Sequence, residues 1–79
     1  MSTKLPAVTG EDVARVARHL GFELRRQRGS HAVYVHRSDG RRVVIPMHAR
    51  TELKRKTLRA IINDMRITVD EFKIGRAHV

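Results

Sequence analysis

Five histidines and a dense set of arginines are the residues of this 79-residue sequence that could do chemistry. The most promising histidine is His31, because Gly29 and Ser30 form a turn before it and such small residues let another molecule's backbone approach closely. Its neighbourhood in the sequence is crowded with guanidinium groups, those of Arg25, Arg26, Arg28, Arg41 and Arg42. A neutral imidazole can accept a proton while guanidinium groups stabilise developing negative charge, and phosphoryl chemistry needs both. The residue types alone also leave a purely structural role for His31 open.

Other kinds of site find little support. His31 and His36 are an odd number of residues apart, so their side chains face opposite sides of a regular sheet. His48 has no Asp or Glu beside it to complete a metal site, and the sequence has no cysteine. Ser30 adjoins His31, which is poor geometry for a proton relay, and no carboxylate is positioned to orient a catalytic triad. We therefore expect neither a metal ion nor a cofactor.

The remaining histidines have different interpretations. His19 lies near the end of a predicted helix, where a cation is favourable. His36 ends a predicted strand beside Arg37 and is expected to be solvated. His48 is the candidate for a secondary acid or base.

The charge of the chain narrows the class of partner. Seventeen Lys and Arg against eight Asp and Glu give a formal net charge of +9, which favours nucleic acid, anionic lipid or an acidic protein. The longest strongly apolar run is only Val43 to Ile45, far short of the roughly 20 residues that span a bilayer. No secretory signal is visible at the amino terminus. We expect a small soluble protein of the cytoplasm.

The first half of the sequence predicts a helix followed by a three-stranded meander. Residues 1–8 form a flexible lead-in, Thr9 caps a helix over Gly10 to Leu20, and Gly21 ends it. After Gly21, apolar and polar residues alternate with a period of two, which is typical of a strand. Gly40 gives a strong hairpin signal. The predicted strands run from Phe22 to about Gln27, from His31 to His36, and from Arg42 to Pro46.

The second half predicts a helix that Thr51 caps, with an apolar stripe formed by Leu58, Ile61, Ile62 and Met65. A capping box from Thr68 to Glu71 then starts a short helical turn that ends near Phe72. The predicted fold is a two-layer α+β domain of order α-β-β-β-α with this short C-terminal turn. Its antiparallel sheet has one face open to solvent. Double-stranded RNA-binding domains share this order, although a fold alone does not settle function.

Residues 74–79 match the translation of a sequencing adapter, ATC GGA AGA GCA CAC GTC. We expect this tail to be non-native and the domain to cover residues 9–73. A genuine basic tail is the alternative.

A series of short motifs resembles the HicA family of toxins from toxin–antitoxin pairs. The motifs occur in the family's order and spacing between Thr9 and Phe72, and they are Leu20-Gly21-Phe22, Arg26, Gly29-Ser30-His31, Tyr34, Asp39-Gly40-Arg41, Val44-Ile45-Pro46, His48, Glu52-Leu53-Lys54, Thr57-Leu58-Arg59, Ile61, Ile67-Thr68-Val69 and Glu71-Phe72. One departure is Lys56, where the family often has Gly.

The resemblance implies a small mRNA-cleaving ribonuclease with a fold like that of double-stranded RNA-binding domains. It implies that His31 is the catalytic residue and that a HicB-type antitoxin covers it. A metal-independent mechanism follows as a hypothesis, in which His31 deprotonates the RNA 2′-hydroxyl and His48 or solvent protonates the leaving 5′-oxygen.

The basic surface has several possible uses. Arg25, Arg26, Arg28 and Lys54 are candidates for contacts to the RNA backbone, and a merely solvated face is the alternative for each. A non-catalytic RNA-binding module is the main alternative. A DNA-binding regulator lacks an obvious helix-turn-helix pair, and a membrane partner is disfavoured by the acidic start of the first helix.

Overall fold

The computed structural model describes residues 5–77. The elements are helix α1 (Gly10–His19), strands β1 (Phe22–Arg28), β2 (His31–His36) and β3 (Arg42–Pro46), and helices α2 (Arg55–Met65) and α3 (Val69–Ala77). The three strands form one antiparallel sheet in the order β1-β2-β3. The predicted α+β class and element order are therefore confirmed.

The core lies between one face of the sheet and the helices. Helix α1 buries Val13, Ala14, Val16 and Ala17, and α2 buries the four predicted apolar residues. The sheet contributes Phe22, Ala32, Tyr34, Val43 and Ile45, each no more than 3% exposed. Alternate strand residues point to the other face, where they are exposed or half-buried. This alternation leaves one face of the sheet uncovered by any described element.

Local signals set the ends of α1. The Thr9 hydroxyl accepts the Asp12 backbone N–H at 3.2 Å, and the Asp12 carboxylate accepts the Thr9 N–H at 3.0 Å, which completes a capping box. Gly21 follows the helix with φ of +96°, a conformation that glycine adopts without steric cost. Both predicted boundaries of α1 are confirmed to within a residue.

Helix α2 begins later than predicted. Its N-cap is Lys54, and the Thr51 hydroxyl donates to the Ala49 carbonyl instead of capping a helix. The reason is a long-range pairing: the Leu53 N–H donates to the Val8 carbonyl at 2.8 Å, and Glu52 forms a β-bridge with Thr9. This pairing holds residues 52 and 53 extended, so the helix can begin only after residue 53.

Helix α3 is longer than the short turn predicted. Its capping box forms as expected, with the Thr68 N–H donating to Glu71 at 2.7 Å and the Glu71 N–H to the Thr68 hydroxyl at 3.0 Å. The helix then continues to Ala77, because Gly75 lets it approach α1, where a Cβ atom would lie 3.2 Å from Val16. Residues 74–77 thus belong to α3. The adapter origin of residues 74–79 stays a prediction, and His78 and Val79 lie outside the described residues.

The predicted lead-in contributes to the core. Leu5 and Val8 are 5% and 1% exposed. The apolar residues of this short segment follow no helical or strand period, so the sequence alone does not predict that Leu5 and Val8 are buried. None of the helices within residues 5–77 has the length and apolar content needed to cross a membrane.

Candidate active site

His31 is the first residue of β2, and its side chain is exposed. In the sheet it stands opposite Arg28, the last residue of β1, and opposite Pro46, the last residue of β3. Ala32 and Tyr34 point into the core, so His31 points to the uncovered face. Across residues 5–77, no hydrogen bond or ion pair engages the His31 side chain. The imidazole is therefore accessible to a bound molecule.

The uncovered face is a grid of three rows across the three strands. We call it the open face, and its residues are Arg28, His31 and Pro46 in the first row, Arg26, Val33 and Val44 in the second, and Glu23, Val35 and Arg42 in the third. The arginines are exposed and the three valines are half-buried. His31 therefore lies at one end of a surface with aliphatic residues in its middle and cations around them.

A β-bulge decides which arginines share this face with His31. The pairing of β1 with β2 shifts between Leu24 and Arg26, so Arg25 is an extra residue without a partner. In a regular strand, Arg25 and the residue at position 27 would occupy the open face, and Arg26 would point toward the helices. The bulge reverses this parity and brings Arg26 and Arg28 to the side of His31. Bulges are common beside functional sites, where they redirect side chains.

The predicted RNA-binding residues are thus divided among three places. Arg26 and Arg28 lie on the open face with His31. Arg25 is exposed at the bulge. Lys54 is the exposed N-cap residue of α2, and no bond among the described residues joins it to the arginines.

The turn before His31 connects the site to the segment after β3. Gly29 has φ of +55°, and its carbonyl accepts the Gln27 side-chain amide at 3.1 Å. The Ser30 carbonyl accepts the Met47 backbone N–H at 2.5 Å. These bonds hold the tight turn that presents His31.

His48 is brought to the same turn. Its Nε2 atom lies 3.5 Å from the Ser30 hydroxyl, and both side chains are near the surface. A second imidazole therefore contacts Ser30, the residue that precedes His31.

Arg41 does not belong to the cationic group around His31. Its guanidinium bonds the Asp39 carboxylate, with Nε 2.9 Å from Oδ2, and donates to the Met65 carbonyl at the end of α2. It also lies over the Phe22 ring, 5.2 Å from the centroid. Donation from the Arg41 backbone N–H lowers the pKa of Asp39, and the guanidinium lowers it further. Arg41 is a structural residue, because these partners hold its guanidinium away from the open face.

His36 is not solvated, in contrast to the expectation from sequence. Its side chain is 12% exposed, and its ring packs edge-on against Phe22 with centroids 4.9 Å apart. The Ser38 backbone N–H donates to Nδ1 at 3.1 Å, so Nε2 carries the proton that is donated to the Leu20 carbonyl at 2.9 Å. The ring fills the space above Gly21, where a Cβ atom would lie 2.9 Å from it. His36 therefore connects the end of α1 to the end of β2.

Two other kinds of site were compared with the open face, a metal site and an enclosed cavity. Within residues 5–77, no three His, Asp or Glu side chains come close enough to share a metal ion. A cavity of about 710 Å³ lies between the amino-terminal segment, α1 and α3, with Asp12, Arg15 and Lys73 in its lining, and His31 does not line it. None of the described residues that line the cavity is a histidine, so the open face remains the candidate site.

Two parts of this site are not evident from the sequence. They are Arg42 on the open face and the apolar residues Val33 and Val44. The even spacing of residues 31, 33 and 35 was the available signal, because it puts them on one face.

Comparison with protein families gives a match that covers most of the chain. The family model described as HicA toxin of bacterial toxin–antitoxin systems matches residues 10–67, a region that includes α1, all three strands and α2. No curated protein matches the sequence. Because the match extends over well more than half of the residues and contains His31, the chain belongs to the HicA toxin family of bacterial toxin–antitoxin systems.

Proposed function

We propose that this toxin is an endoribonuclease that cleaves mRNA, with His31 as the general base. The observation that carries the proposal is the exposed His31 side chain, free of side-chain bonds within residues 5–77 and opposite Arg28 on the open face. An imidazole so presented can reach a ribose hydroxyl, and the adjacent guanidinium can reach the phosphate beside it.

The proposed reaction uses the nucleophile that RNA itself carries. His31 accepts the proton of a 2′-hydroxyl, and the 2′-oxygen attacks the adjacent phosphorus. The bond from phosphorus to the 5′-oxygen breaks, and that oxygen takes up a proton. The products are a 2′,3′-cyclic phosphate and a 5′-hydroxyl, with no change in the oxidation state of any atom.

The arginines of the open face would stabilise the charge that develops on phosphorus. Arg28 stands beside His31 in the first row and Arg26 stands one row away. A guanidinium can donate two parallel hydrogen bonds to phosphate oxygens, and this arrangement favours the dianionic transition state over the monoanionic substrate. Arg28 is the first candidate for this role because it is nearer.

His48 is the proposed donor of the proton that the leaving oxygen needs. It lies against Ser30 at the turn that presents His31. Water at the exposed site is the alternative donor.

The proposed partner is a HicB-type antitoxin that covers His31. Membership of a toxin–antitoxin family implies an antitoxin, and the net charge of +9 favours an acidic contact surface on it. Attraction between opposite charges would accelerate the encounter and would weaken as salt is added.

The decisive experiment compares wild-type protein with His31→Ala on single-stranded RNA. We expect cleavage to fall by on the order of a hundredfold or more, as loss of a general base usually causes. His19→Ala is the matched control, because His19 is exposed on α1 and lies off the open face. Mass spectrometry of the wild-type products should find the cyclic phosphate, and DNA of the same sequence should survive.

Full activity of His31→Ala would remove His31 from the mechanism. RNA that the wild-type protein binds but never cleaves would instead support the non-catalytic RNA-binding module. Growth of cells that express the chain alone, with its neighbouring gene, or with His31→Ala tests toxicity and pairing together.

A further inference from the structure

The open face has the composition of a binding surface and not merely of a solvated sheet. Val33, Val35 and Val44 form a half-buried aliphatic floor, while three exposed arginines lie around it. Glu23 is the single acid among the nine residues of the face. Exposed apolar surface with a polar rim marks interaction sites on soluble proteins.

The grid also has a direction, since His31 lies in its first row and Arg42 in its third. Four residues along β2 separate the two rows, which corresponds to about 13 Å. Arg42 is therefore too distant to contact the phosphate on which His31 would act. A molecule that touches both residues must extend across the whole sheet.

We propose that the open face is the RNA-binding surface, that the RNA crosses it as a single strand, and that Arg42 holds a phosphate distant from the cleaved bond. This inference rests on the proposed ribonuclease function. In it, Arg26 and Arg42 bind the backbone on either side of the valine floor, and sugars or unpaired bases contact Val33 and Val44.

The valine floor favours single strands over duplexes. A duplex presents mainly phosphates and sugars because its bases are stacked inside, whereas an unpaired strand offers base faces to an apolar surface. No Phe, Tyr or Trp lies on the open face, so stacking is weak and little sequence preference is expected. The proposed chemistry agrees, since attack in line with the leaving oxygen requires a flexible backbone.

Arg42 is a positioning residue in this proposal. Its loss should weaken RNA binding while leaving the rate of the chemical step unchanged at saturating RNA. Its side chain is exposed and makes no bond within the described region, so its replacement should leave the fold intact.

The test measures binding without cleavage. A fluorescent single-stranded 2′-fluoro RNA has no 2′-hydroxyl to attack, and its binding is followed by anisotropy for the wild type, Arg42→Ala and Arg59→Ala. Arg59 is the matched control because it is exposed on α2, in the helix layer. We expect Arg42→Ala to raise Kd about tenfold, as loss of a charge-assisted hydrogen bond does, and Arg59→Ala to change it little. The slope of log affinity against log salt should fall by about 0.7 in Arg42→Ala.

Three results would overturn the inference. They are equal weakening by Arg42→Ala and Arg59→Ala, a perfectly paired duplex that binds as tightly as the single strand, and an Arg42→Ala protein that binds RNA normally but loses the antitoxin. A different result separates the two proposals: if His31→Ala cleaves normally while binding of 2′-fluoro RNA still depends on Arg42, the binding surface stands and the role of His31 is refuted.

Discussion

Arg41 and Arg42 are adjacent in the chain but serve opposite sides of the sheet. Arg41 bonds Asp39 and the Met65 carbonyl beside Phe22, whereas Arg42 stands opposite Val35 on the open face. The alternation of side chains along a strand separates the two guanidinium groups by function. The pair therefore allows a direct comparison between a structural cation and a surface cation.

We expect Arg41→Ala to lower the free energy of unfolding by about 1–3 kcal/mol, because it removes charge-assisted hydrogen bonds and a cation–π contact. Arg42→Ala should change it by less than about 0.5 kcal/mol, as is usual at exposed positions. Urea unfolding followed by circular dichroism measures both. Equal stability of the two variants would contradict the structural role of Arg41.

Gly10 should be among the residues most sensitive to substitution. A Cβ atom at this position would lie 1.8 Å from the Pro46 carbonyl oxygen, which is backbone and cannot move aside as a side chain could. Gly10→Ala must therefore separate α1 from β3, and we expect a loss of at least about 2 kcal/mol.

Gly29→Ala is the control for this prediction. A Cβ atom there meets no atom within 4 Å, but the alanine must adopt a positive φ. Its cost should be about 1 kcal/mol. A Gly10→Ala protein as stable as wild type would mean that α1 and Pro46 are farther apart in solution.

The capping box of α1 should make stability depend on pH. The Thr9 backbone N–H, which donates to the Asp12 carboxylate, lowers the pKa of Asp12 below its ordinary value of 3.8, with further contributions from the Thr9 hydroxyl and Arg15. Because the folded state favours the ionised carboxylate, the stabilisation is complete above the unfolded pKa and is lost as pH falls through the lower folded pKa.

Asp12→Asn should therefore be about 1 kcal/mol less stable than wild type at pH 7, and the difference should disappear as pH falls through the lowered folded pKa of Asp12. Thermal or urea unfolding over this range measures the difference. Asp70→Asn removes the same charge from the first turn of α3 at an exposed position without a side-chain hydrogen bond, so it is the matched control for the capping box. A constant gap between wild type and Asp12→Asn at every pH would contradict the prediction.

His48 and His31 should both contribute to the rate of cleavage, because one is the proposed acid and the other the proposed base. We expect His48→Ala to lower the single-turnover rate. Ser30→Ala removes the neighbour of His48 at 3.5 Å and should have a smaller effect on the rate.

Single-turnover cleavage of RNA measures these rates. An unchanged rate in His48→Ala would assign the proton of the leaving oxygen to solvent.

Local patterns predicted the elements of this fold, and long-range pairings account for the differences. The helix that Thr9 caps, the alternation of β2 and the capping box at Thr68 depend on neighbours in the chain, and all are observed. Thr51 carries an equally good local signal, but the pairing of Leu53 with Val8 overrides it. The burial of His36 similarly depends on Leu20 and Phe22, which only the folded chain brings to it.

The composition of the site could be predicted better than its geometry. The turn before His31 indicates the position of the candidate site, but β1 contains a run of polar residues after Leu24 that carries no period of two. Nothing in such a run reveals whether Arg25 or Arg26 shares a face with His31. The bulge at Arg25 settles this, and it exists only as a relationship between two strands.

That same extra residue has a consequence for solubility. A three-stranded sheet has two outer strands whose free backbone groups could template pairing with another molecule. The bulge at Arg25 interrupts the regular ladder on one outer strand, and Pro46 lacks an N–H at the end of the other. One irregularity in β1 thus orients the arginines around His31 and also discourages the edge-to-edge aggregation to which so small a sheet would otherwise be prone.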